Sequence, residues 1–273
     1  KRAIGDCIIL KEKIFKTSMN AFLIAGNWKM NGSGVSSHSL ASQIISDIEK
    51  TPSLTDTCDF LCCPPHIYLS NIVGLADNSP LLVGGQDCST ETEGAFTGDI
   101  SAPMLADCGA QYCIIGHSER RAIHGETSQQ IAKKGECLKE SGIKAIICVG
   151  ETITERKAGK ALDVIKEQLR TSIPSGFNAQ DFVVAYEPIW AIGSGEAASP
   201  EDVAEMHRDI SNILKEMVDK GDTIRILYGG SVKPDNAGEL AGIENVGGFL
   251  IGGASLKADS FLGIAKAAHD VLS

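Results

Sequence analysis

Three polar residues that can move a proton or hold a negative charge each follow a short apolar run of this chain. Glu187 ends FVVAYE, His117 follows YCIIG, and Lys29 comes shortly after FLIAG. A carboxylate can act as a general base, an imidazole can relay a proton, and an ammonium can stabilise an anion. Taken singly, each also has a structural interpretation, as a strand-end carboxylate, a structural histidine or a solvated lysine.

The segment after Glu187 predicts a mobile loop over that carboxylate. A proline stops the strand, and Trp190 and Ile192 then precede the glycines of AIGSG. Glycines let the backbone approach an anion, and the bulky apolar side chains give the loop a surface on which to pack. A helix is expected only from Pro200, behind a Ser199 cap. The pattern predicts a base beneath a lid.

Apolar, strand-like runs alternate with helical patterns from Ala21 onward. The runs are Phe22–Gly26, Cys58–Cys63, Leu81–Gly85, Tyr112–Ile115, Ala145–Val149, Phe182–Tyr186, Ile224–Tyr228 and Gly248–Ile251. Nearly all-apolar strands separated by helices indicate a parallel sheet covered on both faces. With right-handed crossovers, such units most naturally close into a (β/α)₈ barrel, here a single domain over 21–273. A doubly wound open sheet is the alternative.

Residues 1–20 differ from the remainder in their mixed charge and lack of turn or cap signals. We expect an N-terminal extension there, either an expression remnant, a processed extension or an accessory segment. Asp6 and Glu12 argue against a transit peptide, and no secretory signal pattern is present. The longest apolar runs are far shorter than the roughly 20 residues that span a bilayer. We therefore expect no membrane association.

Charge and cysteine content narrow the function further. A formal net charge of −10 argues against nucleic-acid binding but leaves a small anionic substrate open. Nine cysteines without a repeated CxxC indicate reduced, buried thiols in a cytoplasmic protein. Cys58, Cys62 and Cys63 share one strand-like run near His66, which raises a metal site as an alternative. Cys62 and Cys63, however, are strand neighbours that point to opposite faces. No metal is expected.

Chemistry in such a barrel belongs at the carboxyl ends of the strands, where Asn27 and the three residues above are expected. Glycine pairs also follow strands seven and eight, as Gly229-Gly230 before Ser231 and as Gly252-Gly253. Their backbone N–H groups could hold a phosphate. A helix starting after His117 would favour the neutral imidazole, and Glu119 and Arg120 are expected to brace this strand end through ion pairs.

Five motifs, in order and at these strand ends, resemble the triosephosphate isomerase family. They are NWKMN, IIGHSERR, AYEPIWAIGSG, YGGSV and GGFLIGGASL. The resemblance covers about Phe22 to Ser273. It implies a cofactor-independent aldose–ketose isomerase (an intramolecular oxidoreductase) of glycolysis and gluconeogenesis, which interconverts D-glyceraldehyde 3-phosphate and dihydroxyacetone phosphate through an enediolate.

The resemblance also implies residue roles. Glu187 would be the base, neutral His117 would polarise the carbonyl, and Lys29 with Asn27 would hold the substrate and stabilise the enediolate. The remaining assignments are phosphate binding by Gly193, Ser231, Gly252 and Gly253, and support of the histidine by Glu119 and Ser118.

The family is usually dimeric, so we expect a homodimer in which Thr97, in the long loop Gln86–Asp99, lies near the partner's Asn27–Lys29 loop. Two departures concern the lid: Ser194 replaces a frequent threonine, and the acidic Glu196 precedes Ala197-Ala198 where a lysine is frequent. Two alternatives remain: another phosphate-binding barrel, such as a sugar-phosphate lyase or synthase, and a barrel kept as a binding module after catalysis was lost.

Overall fold

The computed structural model describes residues 21–192 and 198–273. In these residues eight parallel strands close into a barrel in chain order, β1 to β8. They are β1 Phe22–Asn27, β2 Cys58–Cys63, β3 Leu81–Gly85, β4 Tyr112–Ile115, β5 Lys144–Val149, β6 Phe182–Tyr186, β7 Ile226–Tyr228 and β8 Gly248–Ile251. Every predicted strand is confirmed, with shifts of one or two residues at some ends, and the open-sheet alternative is wrong. β1 pairs with both β2 and β8, which leaves no sheet edge.

Helices cover the outside of the barrel. They are α1 Gly34–Glu49, α2 Leu54–Thr57, α3 His66–Ala76, α4 Ala102–Asp107, α5 Ser118–His124, α6 Ser128–Glu140, α7 Ile153–Lys157, α8 Ala161–Ser172, α9 Pro200–Met217, α10 Pro234–Ala241 and α11 Ala258–Leu272. Short 3₁₀ turns occur at Ile189–Ala191, Gly221–Thr223 and Gly253–Leu256. None of the helices in the described parts of the chain is long and apolar enough to cross a membrane.

Strand alternation divides the core into two layers, because successive side chains point to opposite faces. Cys62 packs in the outer layer between strands and helices, whereas its neighbour Cys63 packs inside the barrel. Val183 and Leu227 belong to the same inner cluster as Cys63, so the barrel interior is a packed core. The opposed directions of the two cysteines are as predicted.

The predicted start of the helix at Pro200, behind a Ser199 cap, is confirmed for α9. Ser199 caps α9 through its side chain, which accepts the Asp202 N–H, and Pro200 occupies the first turn. The apolar stripe of α9 packs against the core and is buried except for the half-buried Met217; its members are Val203, Met206, Ile210, Ile213, Leu214 and Met217. Gly142 follows α6 with φ +72°, a left-handed conformation that glycine adopts without strain. Ser199 and Pro200 thus mark the start of α9, and Gly142 marks the end of α6.

Candidate active site

The carboxyl ends of the strands surround a cavity of about 370 Å³. Its lining includes the following predicted site residues: Asn27, Lys29, His117, Glu119, Glu187, Ser231, Gly252 and Gly253. Gly193, assigned to the phosphate site, lies outside the described residues, as do Ser194, Glu196 and Ala197 of the lid. The cavity thus brings together the predicted acid–base groups and the described phosphate-binding positions.

Glu187 and His117 face each other at the ends of β6 and β4. Oε1 of Glu187 lies 2.9 Å from Nε2 of His117, and Oε2 accepts the Ser118 N–H at 2.9 Å. Both side chains are nearly inaccessible to solvent, with 2% of Glu187 and 8% of His117 exposed. A buried carboxylate held by two donors is desolvated but not orphaned, which suits a general base.

The other imidazole nitrogen identifies the tautomer. Nδ1 of His117 accepts the Glu119 N–H at 3.2 Å, at the start of α5, so a neutral ring carries its proton on Nε2. Burial, the largest single influence, lowers the pKa of His117. The charge of Glu187 and its hydrogen bond oppose burial, and with Glu119 they leave the pKa raised above its ordinary value. The neutral form expected from the sequence therefore depends on where the Glu187 carboxylate lies.

Lys29 is held in an unusual backbone conformation. Its φ of +51° is in the left-handed region, which costs free energy for a residue with a Cβ. Three hydrogen bonds hold the turn: the Lys29 N–H donates to Asn27 Oδ1 at 3.0 Å, and Gln86 Nε2 donates to the Lys29 carbonyl at 2.9 Å and the Cys63 carbonyl at 2.8 Å. Asn27 thus positions Lys29. Gln86 is a supporting residue that no sequence pattern indicated.

The Lys29 ammonium is paired within the site. Nζ lies 2.5 Å from Glu119 Oε1, and Glu119 Oε2 lies 3.6 Å from His117 Nδ1. Glu119 therefore lies in the site beside the histidine, where the resemblance had placed it, and its ion pair is with Lys29. Arg120 does brace the strand end, because its guanidinium pairs with Asp87 at 2.9 Å and contacts Glu126. Glu119 therefore faces the cavity, and the adjacent Arg120 stabilises the end of β4.

Glycines bring the neighbouring loops against the base. A Cβ at Gly150 would lie 1.9 Å from the Glu187 carbonyl oxygen, and one at Gly229 would lie 2.9 Å from its Cγ. No atom lies within 4 Å of the Cβ position at Gly253, which lines the cavity. The glycines therefore allow close packing around Glu187 and leave open space where the phosphate is expected.

A buried carboxylate holds the first part of the lid. Glu151 Oε1 accepts from Trp190 Nε1 at 2.9 Å, from Tyr186 OH at 3.1 Å and from Arg156 Nη1 at 3.2 Å. Arg156 also lies 5.1 Å from the Trp190 ring centroid and pairs with Asp202 of α9. Trp190 therefore anchors the start of this loop, through its contacts with Glu151 and Arg156. Glu151 was not predicted, although its position two residues after β5, in VGE, was a usable signal.

Several features lie apart from this chemistry. A larger cavity, of about 570 Å³, opens at the amino ends of the strands near Tyr112 and Arg225, away from Glu187.

Within residues 21–192 and 198–273, no three His, Cys, Asp or Glu side chains are grouped so as to hold a metal ion. Burial raises the pKa of the Cys58 thiol to about 11, and it also raises that of Cys148. Neither thiol is a ready nucleophile.

The fold and this site define a class: a (β/α)₈-barrel protein with an acid–base centre at the carboxyl ends of its strands. The family model for triosephosphate isomerase matches residues 22–268. Triosephosphate isomerases of Rhizobium etli and Rhizobium meliloti are 49% and 47% identical to the chain, over 92% and 91% of it and 97% and 96% of their own lengths. A crystal structure of triosephosphate isomerase from Bartonella henselae is 43% identical and has a TM-score of 0.83, covering 90% of this chain and 98% of that one.

The chain belongs to the triosephosphate isomerase family. The resemblance found in the five motifs is confirmed, and so is its extent from Phe22 almost to the carboxyl terminus.

Proposed function

We propose that this protein interconverts D-glyceraldehyde 3-phosphate and dihydroxyacetone phosphate by proton transfer through an enediolate. The observation that carries the proposal is the contact between the buried Glu187 carboxylate and His117 Nε2, at 2.9 Å, in a cavity that Lys29 also lines. One carbon base, one oxygen acid and one cation are what this isomerisation needs.

Glu187 removes the proton from one substrate carbon and returns it to the adjacent carbon. His117 donates from Nε2 to the carbonyl oxygen and relays the proton between the two oxygens. Moving Glu187 from the imidazole to the substrate removes the main influence that raises the His117 pKa, so the ring works in its neutral form. A neutral imidazole beside a helix start is the arrangement known in this family.

Lys29 and Asn27 stabilise the enediolate oxygens, and Ser231, Gly252, Gly253 and Gly193 bind the phosphate. Glu119 holds Lys29 in the free site, and Ser118 orients the base through its N–H. No cofactor or metal is required, because the reaction moves only protons. The lid excludes water, which protects the enediolate phosphate from elimination.

The test is an NMR assay with D-glyceraldehyde 3-phosphate in D₂O. We expect dihydroxyacetone phosphate, with solvent deuterium at the carbon that receives the proton. Products of carbon–carbon cleavage or condensation would instead support the lyase or synthase alternative. Phosphate binding without turnover would support the binding-module alternative.

The protein is proposed to act as a cytoplasmic homodimer. Met30, Ile67 and Phe96 are exposed apolar side chains, at 97%, 83% and 47%, although such groups are usually covered. We expect a second copy to cover them, with Thr97 of one copy beside the Asn27–Lys29 loop of the other. Light scattering should give twice the 28.8 kDa of one chain. A mass of one chain at micromolar concentration would contradict the dimer.

The sequence before Ala21 is proposed to be an extension outside the barrel domain, which spans 21–273. Removing residues 1–20 should leave the turnover and the melting temperature of the barrel within experimental error. A loss of either property would show that the barrel needs the segment.

A further inference from the structure

Lys233 is a cation in the cavity wall that the isomerase chemistry does not use. It follows β7 by five residues, lies two residues after Ser231, and lines the same cavity as Glu187 and Gly253. Its side chain is exposed, and no ion pair to Lys233 occurs among the residues that the structure describes. Lys29, in contrast, is already paired with Glu119.

Lys233 balances the charge of the cavity lining. The charged lining residues are Lys29, Glu119, Glu187 and Lys233, so the positive and negative charges are equal in number. Without Lys233 the lining would carry a net negative charge, in a protein whose formal charge is already −10. A phosphate dianion would then approach a repulsive cavity.

The loop that carries Lys233 has a fixed backbone. Asn236 Oδ1 accepts the Lys233 N–H at 2.8 Å, and Asn236 Nδ2 donates to the Ser231 carbonyl at 3.1 Å. One side chain therefore fixes both Lys233 and a phosphate-binding position. The ammonium extends from a preorganised anchor, which lowers the entropy cost of placing it near a ligand.

Local stability does not account for a lysine at this position. Lys233 is the N-cap residue of α10 and makes no side-chain capping bond. Serine, threonine, aspartate and asparagine are preferred at N-caps, and a positive charge is unfavourable beside the positive end of the helix dipole. Lys160, the exposed N-cap of α8, has the same disadvantage but does not line the cavity, which makes it a matched control.

We propose that Lys233 is a positioning residue that draws the phosphate dianion of the substrate into the cavity and discriminates phosphorylated from neutral trioses. The proposal rests on the isomerase function above. Lys233 contributes to capture of the dianion, whereas Glu187, His117 and Lys29 carry out the chemistry. Its effect is therefore expected in KM and in the salt dependence of kcat/KM, with little change in kcat.

The test compares Lys233→Ser with Lys160→Ser and the parent, using D-glyceraldehyde 3-phosphate and neutral D-glyceraldehyde. For Lys233→Ser we expect kcat/KM on the phosphorylated substrate to fall about 3- to 10-fold at low salt, mainly through KM, and the loss to shrink as salt screens the charge. The rate with D-glyceraldehyde should stay unchanged. Lys233→Arg should restore most of the loss, and Lys160→Ser should match the parent.

The melting temperature of Lys233→Ser should change in the opposite direction to its phosphate binding. Serine at either N-cap should raise the melting temperature by about 1 to 4 °C, so Lys233→Ser should be more stable yet bind phosphate more weakly. Equal losses on both substrates, or a loss that salt does not reduce, would overturn the role. An inactive parent would contradict the proposed function itself. An active parent with Lys233→Ser indistinguishable from Lys160→Ser would contradict only this inference.

Discussion

Glu187 and His117 form a buried pair in which the carboxylate lies against the nitrogen that carries the imidazole proton. The Oε1–Nε2 distance is 2.9 Å, while Nδ1 of the same ring is occupied by the Glu119 N–H. The base and the acid of the proposed reaction thus interact before substrate arrives. The protonation of His117 therefore depends on the charge of Glu187.

The first prediction concerns the titration of His117. In Glu187→Gln the charge that opposes burial is removed, so the pKa of His117 should fall relative to the parent, in which it is raised. Protonation of the ring should then occur at lower pH than in the parent. NMR of imidazole nitrogens across pH 4 to 9 measures both midpoints, and His117→Gln assigns the signal. A midpoint that rises or stays constant would contradict this coupling.

The second prediction concerns Gly150, which has no chemical role. A methyl group there would lie 1.9 Å from the Glu187 carbonyl oxygen, so Gly150→Ala must displace the backbone that carries the base. We expect kcat to fall about 10- to 100-fold, because small misplacements of a reacting group are costly. Gly74→Ala is the control, since nothing lies within 4 Å of its Cβ position in α3. Similar kcat values in both variants would show that the contact does not position Glu187.

The third prediction concerns Lys29, whose ammonium is proposed to act on both the bound substrate and the transition state. Lys29→Met should raise KM and lower kcat together, with a combined loss in kcat/KM of at least about 10³. Steady-state kinetics in both directions measure the two parameters. This pattern differs from the one expected for Lys233, where KM changes alone. Unchanged KM with full kcat would remove Lys29 from the site.

The fourth prediction concerns stability at acid pH. Burial lowers the pKa of His207 to about 4, although Nδ1 lies 3.2 Å from the Asn245 carbonyl oxygen. The unfolded chain takes up this proton near pH 6.5, so the stabilisation is complete above that pH and is lost as the pH falls towards 4. The contribution of this one group should decrease by about 3 kcal/mol over that window.

Denaturant unfolding of the parent and His207→Gln at pH 7 and pH 4 isolates the contribution of His207. Glutamine can still donate to the Asn245 carbonyl but does not titrate. The stability advantage of the parent should therefore shrink as the pH falls. An advantage that is the same at both pH values would show that His207 is not buried as described.

Much of the fold followed from the sequence, because its strands are short, nearly all apolar and separated by well-capped helices. The helix α9 shows this most clearly, since Ser199, Pro200 and the apolar stripe each indicate the same boundary or face. The first residues of β7 were predicted two positions too early. Ile224 is buried and the Arg225 carbonyl still accepts the Val184 N–H of β6 at 3.1 Å, so burial and periodicity cannot separate these two residues from the strand that follows.

The part of the site that could be predicted consists of residues at strand ends and within the family motifs. Lys29, His117 and Glu187 directly or closely follow strands, so the barrel alone brings them together. Gln86 and the proposed role of Lys233 depend on loop conformations that no periodic pattern encodes. The place of Glu119 beside His117 followed from the family motif, whereas its ion pair with Lys29 did not, because a run of charges does not reveal which side chain turns towards the cavity.

Turnover of D-glyceraldehyde 3-phosphate by the parent and by Glu187→Gln, both purified from a host that lacks its own isomerase, tests the account most directly. Glutamine can still accept the Ser118 N–H, so the fold should remain while the base is lost. We predict rapid conversion by the parent and a loss of at least about 10³ in kcat for the variant. Equal turnover by both proteins would contradict the assignment of Glu187 as the base, and a folded but inactive parent would contradict the proposed reaction.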